Sequence, residues 1–219
     1  MRFSRTGLSL DCLLPISLEA IFIQMIVLLA SLTVHELAHA WTADRLGDPT
    51  ARRLGRISLN PIVHADPIGT ILFPLIAIIS HVPILGWAKP VPVNIRNLRH
   101  PRRDYVMVAA AGPASNLVLA LGAAVLYAVL PISPLTLGSR LLEALIELNV
   151  LLAVFNMIPI PPLDGGNVVA GLLPISFAAA FNRVRPYGFL ILYALILSNT
   201  LWTIIGPPFS FIMHLLPTQ

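Results

Sequence analysis

The sequence predicts an all-α polytopic membrane protein with about four to six transmembrane or re-entrant helices, interrupted by short strand-like stretches. Three observations carry that expectation. Of 219 residues, 57% are hydrophobic and only 11% charged, whereas soluble domains carry about 25% charged residues. The mean hydropathy is +0.84. The apolar residues are gathered into runs long enough to cross a hydrocarbon core of about 30 Å. A soluble globular protein is excluded. The basic balance, with 14 Lys and Arg against 10 Asp and Glu, would suggest nucleic acid in a soluble chain. Here the cations lie between apolar segments, as flanking charges that orient a membrane protein do, and no nucleic-acid partner is expected. The single cysteine, Cys12, excludes an internal disulfide or a cysteine zinc cluster.

The first apolar segment, 16–43, would measure about 41 Å as a helix. Arg2 and Arg5 ahead of it give the start a signal-peptide look, and Ala38-His39-Ala40 has the shape of a cleavage site, but the run exceeds a signal core and cleavage there would cut the best motif in the chain, so a retained span is expected. Residues 44–66 are polar. They turn at Gly47-Asp48-Pro49 and alternate through 51–59, which reads as a short strand. The apolar stretch 67–86 holds Pro67, Pro74 and Pro83 and either spans or dips in and returns. Residues 87–103 are again polar and strand-like at 88–94, then rich in arginine. Further apolar segments follow at 105–130, 141–158 and 187–205, with a short apolar tail. Pro159, Pro161 and Pro162 must break the helix they follow.

If 67–86 re-enters, 11 of the 14 cations fall on one side, the stronger of the two possible positive-inside divisions. This predicts four spans, an outside N-terminus and cytoplasmic polar stretches at 44–66, 87–103 and 159–186.

The sharpest motif is His35-Glu36-Leu37-Ala38-His39. Helix positions i and i+4 share a face, so two imidazoles can hold one zinc ion while Glu36 serves as base toward a zinc-bound water, the expected nucleophile. From six His and four Glu in 219 residues the pattern is expected by chance about 0.003 times. A third ligand is needed, and Asp164 in Pro-Leu-Asp-Gly-Gly is the candidate; the same residue could instead cap a helix or turn. The re-entrant topology favours the ligand by bringing Asp164 to the membrane face that carries His39.

Together with Ala111-Gly112-Pro113-Ala114-Ser115-Asn116 and Asn156-Met157-Ile158-Pro159-Ile160-Pro161-Pro162-Leu163-Asp164-Gly165-Gly166, this motif makes the chain resemble the site-2 protease family of zinc intramembrane metalloproteases, peptidase family M50. Its compact bacterial branch, without PDZ or CBS domains, is the nearest in pattern. The resemblance spans about residues 16–170 within one membrane-embedded domain of 1–219. It implies one zinc ion per chain held by His35, His39 and Asp164, with Glu36 as catalytic base. It also implies a multi-pass cell-membrane protein, working in the lipid bilayer near the cytoplasmic side on membrane-protein substrates with a transmembrane segment.

Asn116 and Asn156, amides within apolar segments, read either as substrate or oxyanion contacts or as interhelical hydrogen bonds. His64 and Asp66 read as a second metal or gating contact or as turn chemistry. The strand-like stretches 51–59 and 88–94, close to the active site, could offer a sheet edge to an unwound substrate. Arg140, Glu143 and Glu147, one turn apart, suggest a polar stripe facing a hydrated crevice. Two rival functions are a non-catalytic zinc scaffold, which would want four protein ligands, and a transporter, which would show paired broken helices in two halves.

Overall fold

A computed structural model describes residues 18–80, 88–134 and 136–217. In chain order these form α1 (Leu18–Arg45), α2 (Thr50–Arg53), a 3-10 turn (Pro61–Val63), a π-helical segment (Pro67–Leu72) continuing into α3 (Phe73–Ser80), α4 (Pro101–Val129), α5 (Leu137–Asn156), α6 (Asp164–Leu172), α7 (Ile175–Asn182), α8 (Gly188–Leu197) and α9 (Thr200–Leu215). The all-helical class agrees with the sequence. Two helices, α1 and α4, are long and apolar enough to cross a membrane, and the run from α7 to α9 makes a third if its bent halves count as one span. The residues that decide whether 67–86 returns, 81–87, lie outside the described residues, as do the N-terminal arginines and Cys12.

Helix α4 is the hub, packing on α1, α5 and α6, while α5 also meets α9. Its contact faces are built from small residues. Ala109, Gly112, Ala120, Ala123 and Ala124 are buried, and small side chains let helices approach where lipid supplies no hydrophobic drive. The core adds Val150, Val154, Ile158 and Ile205 on one side and Ile146 on the other. Large apolar side chains such as Phe22, Val118, Val129, Leu190 and Phe211 point outward, as lipid-facing residues do.

Two expectations fail. Residues 51–59 form no strand: α2 occupies 50–53 and turns follow. Pro49 and Asp48 start a helical turn here, with Thr50 N–H donating to Asp48 Oδ1 at 3.1 Å. Gly55, at φ +67°, ends it through Arg56 N–H to Ala51 O, a left-handed helix terminus that favours glycine. Residues 88–94 carry no regular secondary structure and pair with no strand among the described residues, and Pro90 and Pro92 have no N–H to give to a ladder. The apolar stretch 187–205 is also divided. Asn199, at φ 57°, separates α8 from α9, and the pair bends by 85°.

The polar stretches after α1 and before α4 are held together at one carboxylate. Asp48 is fully buried; Oδ2 accepts from Asn94 N–H at 2.6 Å and Oδ1 from Asn97 Nδ2 at 2.9 Å. Burial pushes the Asp48 carboxyl up, but the hydrogen bonds from Thr50, Asn97 and Asn94 outweigh it and hold the group below the usual range. A depressed folded pKa stabilises the fold above the unfolded value of about 3.9 and loses that contribution as pH falls through the folded value. Asp48→Asn is therefore expected to cost about 1–3 kcal/mol near neutrality and to reduce the loss of stability between about pH 4 and the acid limit. Thermal unfolding of both proteins across that range would show it; parallel profiles would refute the assignment.

Candidate metal centre

Helix α1 has room for its imidazoles because a glycine faces them. His35 and His39 sit one turn apart, both buried, with ring centroids 4.6 Å apart and planes at 84°. A methyl group at Gly112 of α4 would fall on the Nε2 atoms of both rings. The opposite ring nitrogens are engaged: His35 Nδ1 lies 2.6 Å from Asn116 Oδ1, and His39 Nδ1 lies 2.7 Å from Val108 O. Carbonyl oxygens only accept, so each Nδ1 carries a proton, which leaves Nε2 as the nitrogen each ring can offer to a metal ion.

Asp164 completes the cluster from α6. Its Oδ2 lies 3.1 Å from His35 Nε2 and 3.3 Å from His39 Nε2, while the two Nε2 atoms are 3.0 Å apart. Asp164 is the first residue of α6 rather than part of an unwound segment, and Leu163 occupies the cap position. The two glycines after it serve packing. A Cβ at Gly165 would overlap the Met157 carbonyl, and one at Gly166 the backbone of Ile160 and Pro161, so both let α6 fold back onto the chain leaving α5. The Pro161–Pro162 bond within that return is cis.

Three atoms able to bind a metal thus converge, and Asp164 Oδ2 is buried with no hydrogen-bond partner beyond these two rings. Two neutral imidazoles and a carboxylate are zinc's preferred kind of donor set, and three protein ligands leave a position for water. The residues fit the ion. Among the described residues this is the group of His, Cys, Asp and Glu side chains able to hold a metal.

Glu36 lies beside the cluster, buried, with Oε2 accepting from Val91 N–H at 2.9 Å. The 88–94 stretch therefore reaches the site through its backbone, although it forms no strand.

Other sequence candidates are placed elsewhere. Asn116 is fully buried and bonded to His35 of α1 and Asn149 of α5, a contact between helices. Asn156 donates to Leu152 O of its own helix at 2.9 Å. His64 is buried, with Nε2 donating to Ser58 O at 2.9 Å. Asp66 caps the π-helical segment by accepting from Ile68 and Gly69 N–H at 3.0 and 2.7 Å. These are turn contacts, and among the described residues His64 and Asp66 join no metal cluster. The polar stripe of α5 is shared between neighbours: Arg140 pairs with Glu19 of α1 at 2.7 Å, and Tyr127 of α4 donates to Glu143 at 2.8 Å. Asn149, which motif reading passed over, is as buried as Asn116. The signal for it was the same, an amide inside an apolar helix.

Residues 135–199, which include Asp164, match the sequence profile of Peptidase family M50. Proteins assigned as zinc metalloproteases align over most of the chain. YwhC of Bacillus subtilis (strain 168) is 38% identical over 203 residues, covering 88% of this chain and 89% of its own. Rip2 of Mycolicibacterium smegmatis is 31% identical over 193 residues, 87% of this chain and 73% of its own. Rip2 of Mycobacterium tuberculosis (strain H37Rv) is 30% identical over 191 residues, 85% and 71% respectively. No solved structure matches. With a relative this similar aligned almost end to end, the chain belongs to peptidase family M50.

Proposed function

We infer that the protein is a zinc-dependent intramembrane endopeptidase that hydrolyses peptide bonds in or near the transmembrane segments of membrane-protein substrates. The observation that carries the reading is the convergence of His35 Nε2, His39 Nε2 and Asp164 Oδ2 within 3.3 Å of one another, with both Nδ1 protons committed elsewhere.

In this reading His35, His39 and Asp164 hold one zinc ion. When bound, zinc supplies Lewis acidity that makes water nucleophilic near neutral pH and polarises the scissile carbonyl. Glu36 moves the protons. Its Oε2 is engaged by Val91 N–H, so Oε1 accepts the proton of the attacking water and returns it to the departing amine. Burial of Glu36 beside the cluster keeps bulk water from competing. In this reading Asn156, the last residue of α5, holds substrate backbone through its side-chain oxygen, since Nδ2 is engaged by Leu152 O.

The whole chain, 1–219, forms one membrane-embedded domain with its motif-bearing core at 16–170. We place it in the cell membrane as a multi-pass protein of four spans, α1, α4, α5 and the bent pair ending in α9, with 67–86 re-entrant and the active site near the cytoplasmic side. The distribution of arginines supports that orientation. A cysteine introduced at Arg99 and labelled from outside intact cells would contradict it.

The test uses the full chain in lipid vesicles with a single-span membrane protein as substrate. Chelation should abolish cleavage and zinc should restore it. Cleavage that persists in the chelator, with no zinc left on the protein, would overturn the reading.

A further inference from the structure

Behind His35, three buried side chains from three helices stand in single file. Asn149 of α5 donates through Nδ2 to Leu145 O, one turn earlier on its own helix, at 2.8 Å, and to Ser31 Oγ of α1 at 2.8 Å. Asn149 Oδ1 accepts from Asn116 Nδ2 of α4 at 2.7 Å, and Asn116 Oδ1 meets His35 Nδ1 at 2.6 Å. Ser31, Asn116 and Asn149 have no exposed surface.

An amide side chain can face either way, and a hydroxyl both donates and accepts. A backbone carbonyl can only accept. Leu145 O therefore fixes the whole file. It requires the nitrogen of Asn149, which turns the Asn149 oxygen to Asn116. Asn116 must answer with its nitrogen, which turns its own oxygen to His35. His35 must then carry a proton on Nδ1, so that Nε2 is the nitrogen left to bind a metal ion. Inverting any member would set two donors or two acceptors against each other at full burial, a cost that favours the single consistent arrangement.

We propose that Asn149 is a positioning residue for His35: acting through Asn116, it selects the imidazole tautomer whose Nε2 lone pair points into the metal centre. The inference rests on His35 being a metal ligand. It also gives α5, which contributes no ligand, control over one on α1.

The experiment compares the full chain, purified in detergent with nitrogen-15-labelled histidine, as wild type, Asn149→Leu, Asn149→Asp, Ser31→Ala and His35→Ala. Zinc affinity is measured by competition with a chromophoric chelator, and the His35 ring nitrogen shifts are recorded without metal. Asn149→Leu removes the direction, so His35 should become a mixture of tautomers and zinc should bind about 10–100-fold more weakly, the usual cost of losing a ligand's hydrogen-bonded support. Asn149→Asp keeps an oxygen toward Asn116 and meets Leu145 O with its carboxyl proton, and Ser31→Ala keeps Leu145 O. Both should retain the Nδ1 proton and bind zinc within about threefold of wild type.

An Asn149→Leu protein with unchanged affinity and a pure Nδ1–H tautomer would overturn the proposal. So would an Asn149→Asp protein as impaired as Asn149→Leu, since packing rather than direction would then be at work. If Asn149→Leu does not fold, Asn149→Asp decides alone: a preserved Nδ1–H signal sustains the proposal and its loss ends it. Wild-type zinc affinity in His35→Ala would instead remove the ligand assignment beneath it.

Discussion

A Glu36→Gln protein is expected to load zinc as the wild type does and to cleave about 10²–10⁴-fold more slowly, a barrier increase of about 3–5 kcal/mol. Glutamine retains a side-chain oxygen for Val91 N–H, so the 2.9 Å contact survives and the fold around the site should not move. The three converging atoms proposed to hold zinc belong to His35, His39 and Asp164, which is why zinc content should hold. What glutamine lacks is basicity, so the water keeps its proton and the departing amine receives none. Single-turnover cleavage of a membrane substrate, together with zinc stoichiometry on the same preparation, separates the two properties. Undiminished cleavage would remove Glu36 from the mechanism, and a scaffold with a structural ion would lose nothing by this change.

Gly112→Ala should do the reverse, taking away the ion and with it the activity. The added methyl lands on both Nε2 atoms, and neither ring can withdraw freely. His35 is tied to Asn116 at 2.6 Å and His39 to Val108 O at 2.7 Å, so retreat from the methyl breaks a buried hydrogen bond. Zinc affinity should fall by about 100-fold or more. The helix itself would gain, since alanine is about 1 kcal/mol better than glycine within a helix. Gly122 on the same helix provides the control. A Cβ there meets nothing within 4 Å, and Gly122→Ala should leave zinc binding and cleavage intact. Full zinc occupancy in Gly112→Ala would refute the geometry.

How much of this was legible in the sequence depended on how local each signal was. His35 and His39 are one helical turn apart, so periodicity alone brings them together. Asp164 needed the pattern of prolines and glycines around it, and the structure changes the reason: those glycines admit a backbone crossing rather than an unwound carboxylate. Residues 51–59 misled because alternation of apolar and polar residues was weighed above the Asp48-Pro49 helix start and the Gly55 stop. The apolar run 187–205 hid the turn at Ser198-Asn199-Thr200, whose short polar side chains stand between α8 and α9. Asn116 was visible as a polar residue at depth, but its partners come from helices 81 residues before it and 33 after it. No local pattern encodes such a pairing.

The convergence of His35, His39 and Asp164 has a consequence for how the chain assembles. His39 on α1 and Asp164 on α6 lie far apart in the sequence, yet Nε2 and Oδ2 meet at 3.3 Å. Helix α6 is brought to α1 through its packing on α4. A cation at the meeting point would fasten α1 and α6 together. Docking of α6 and capture of the ion are thus coupled equilibria, and each should strengthen with the other.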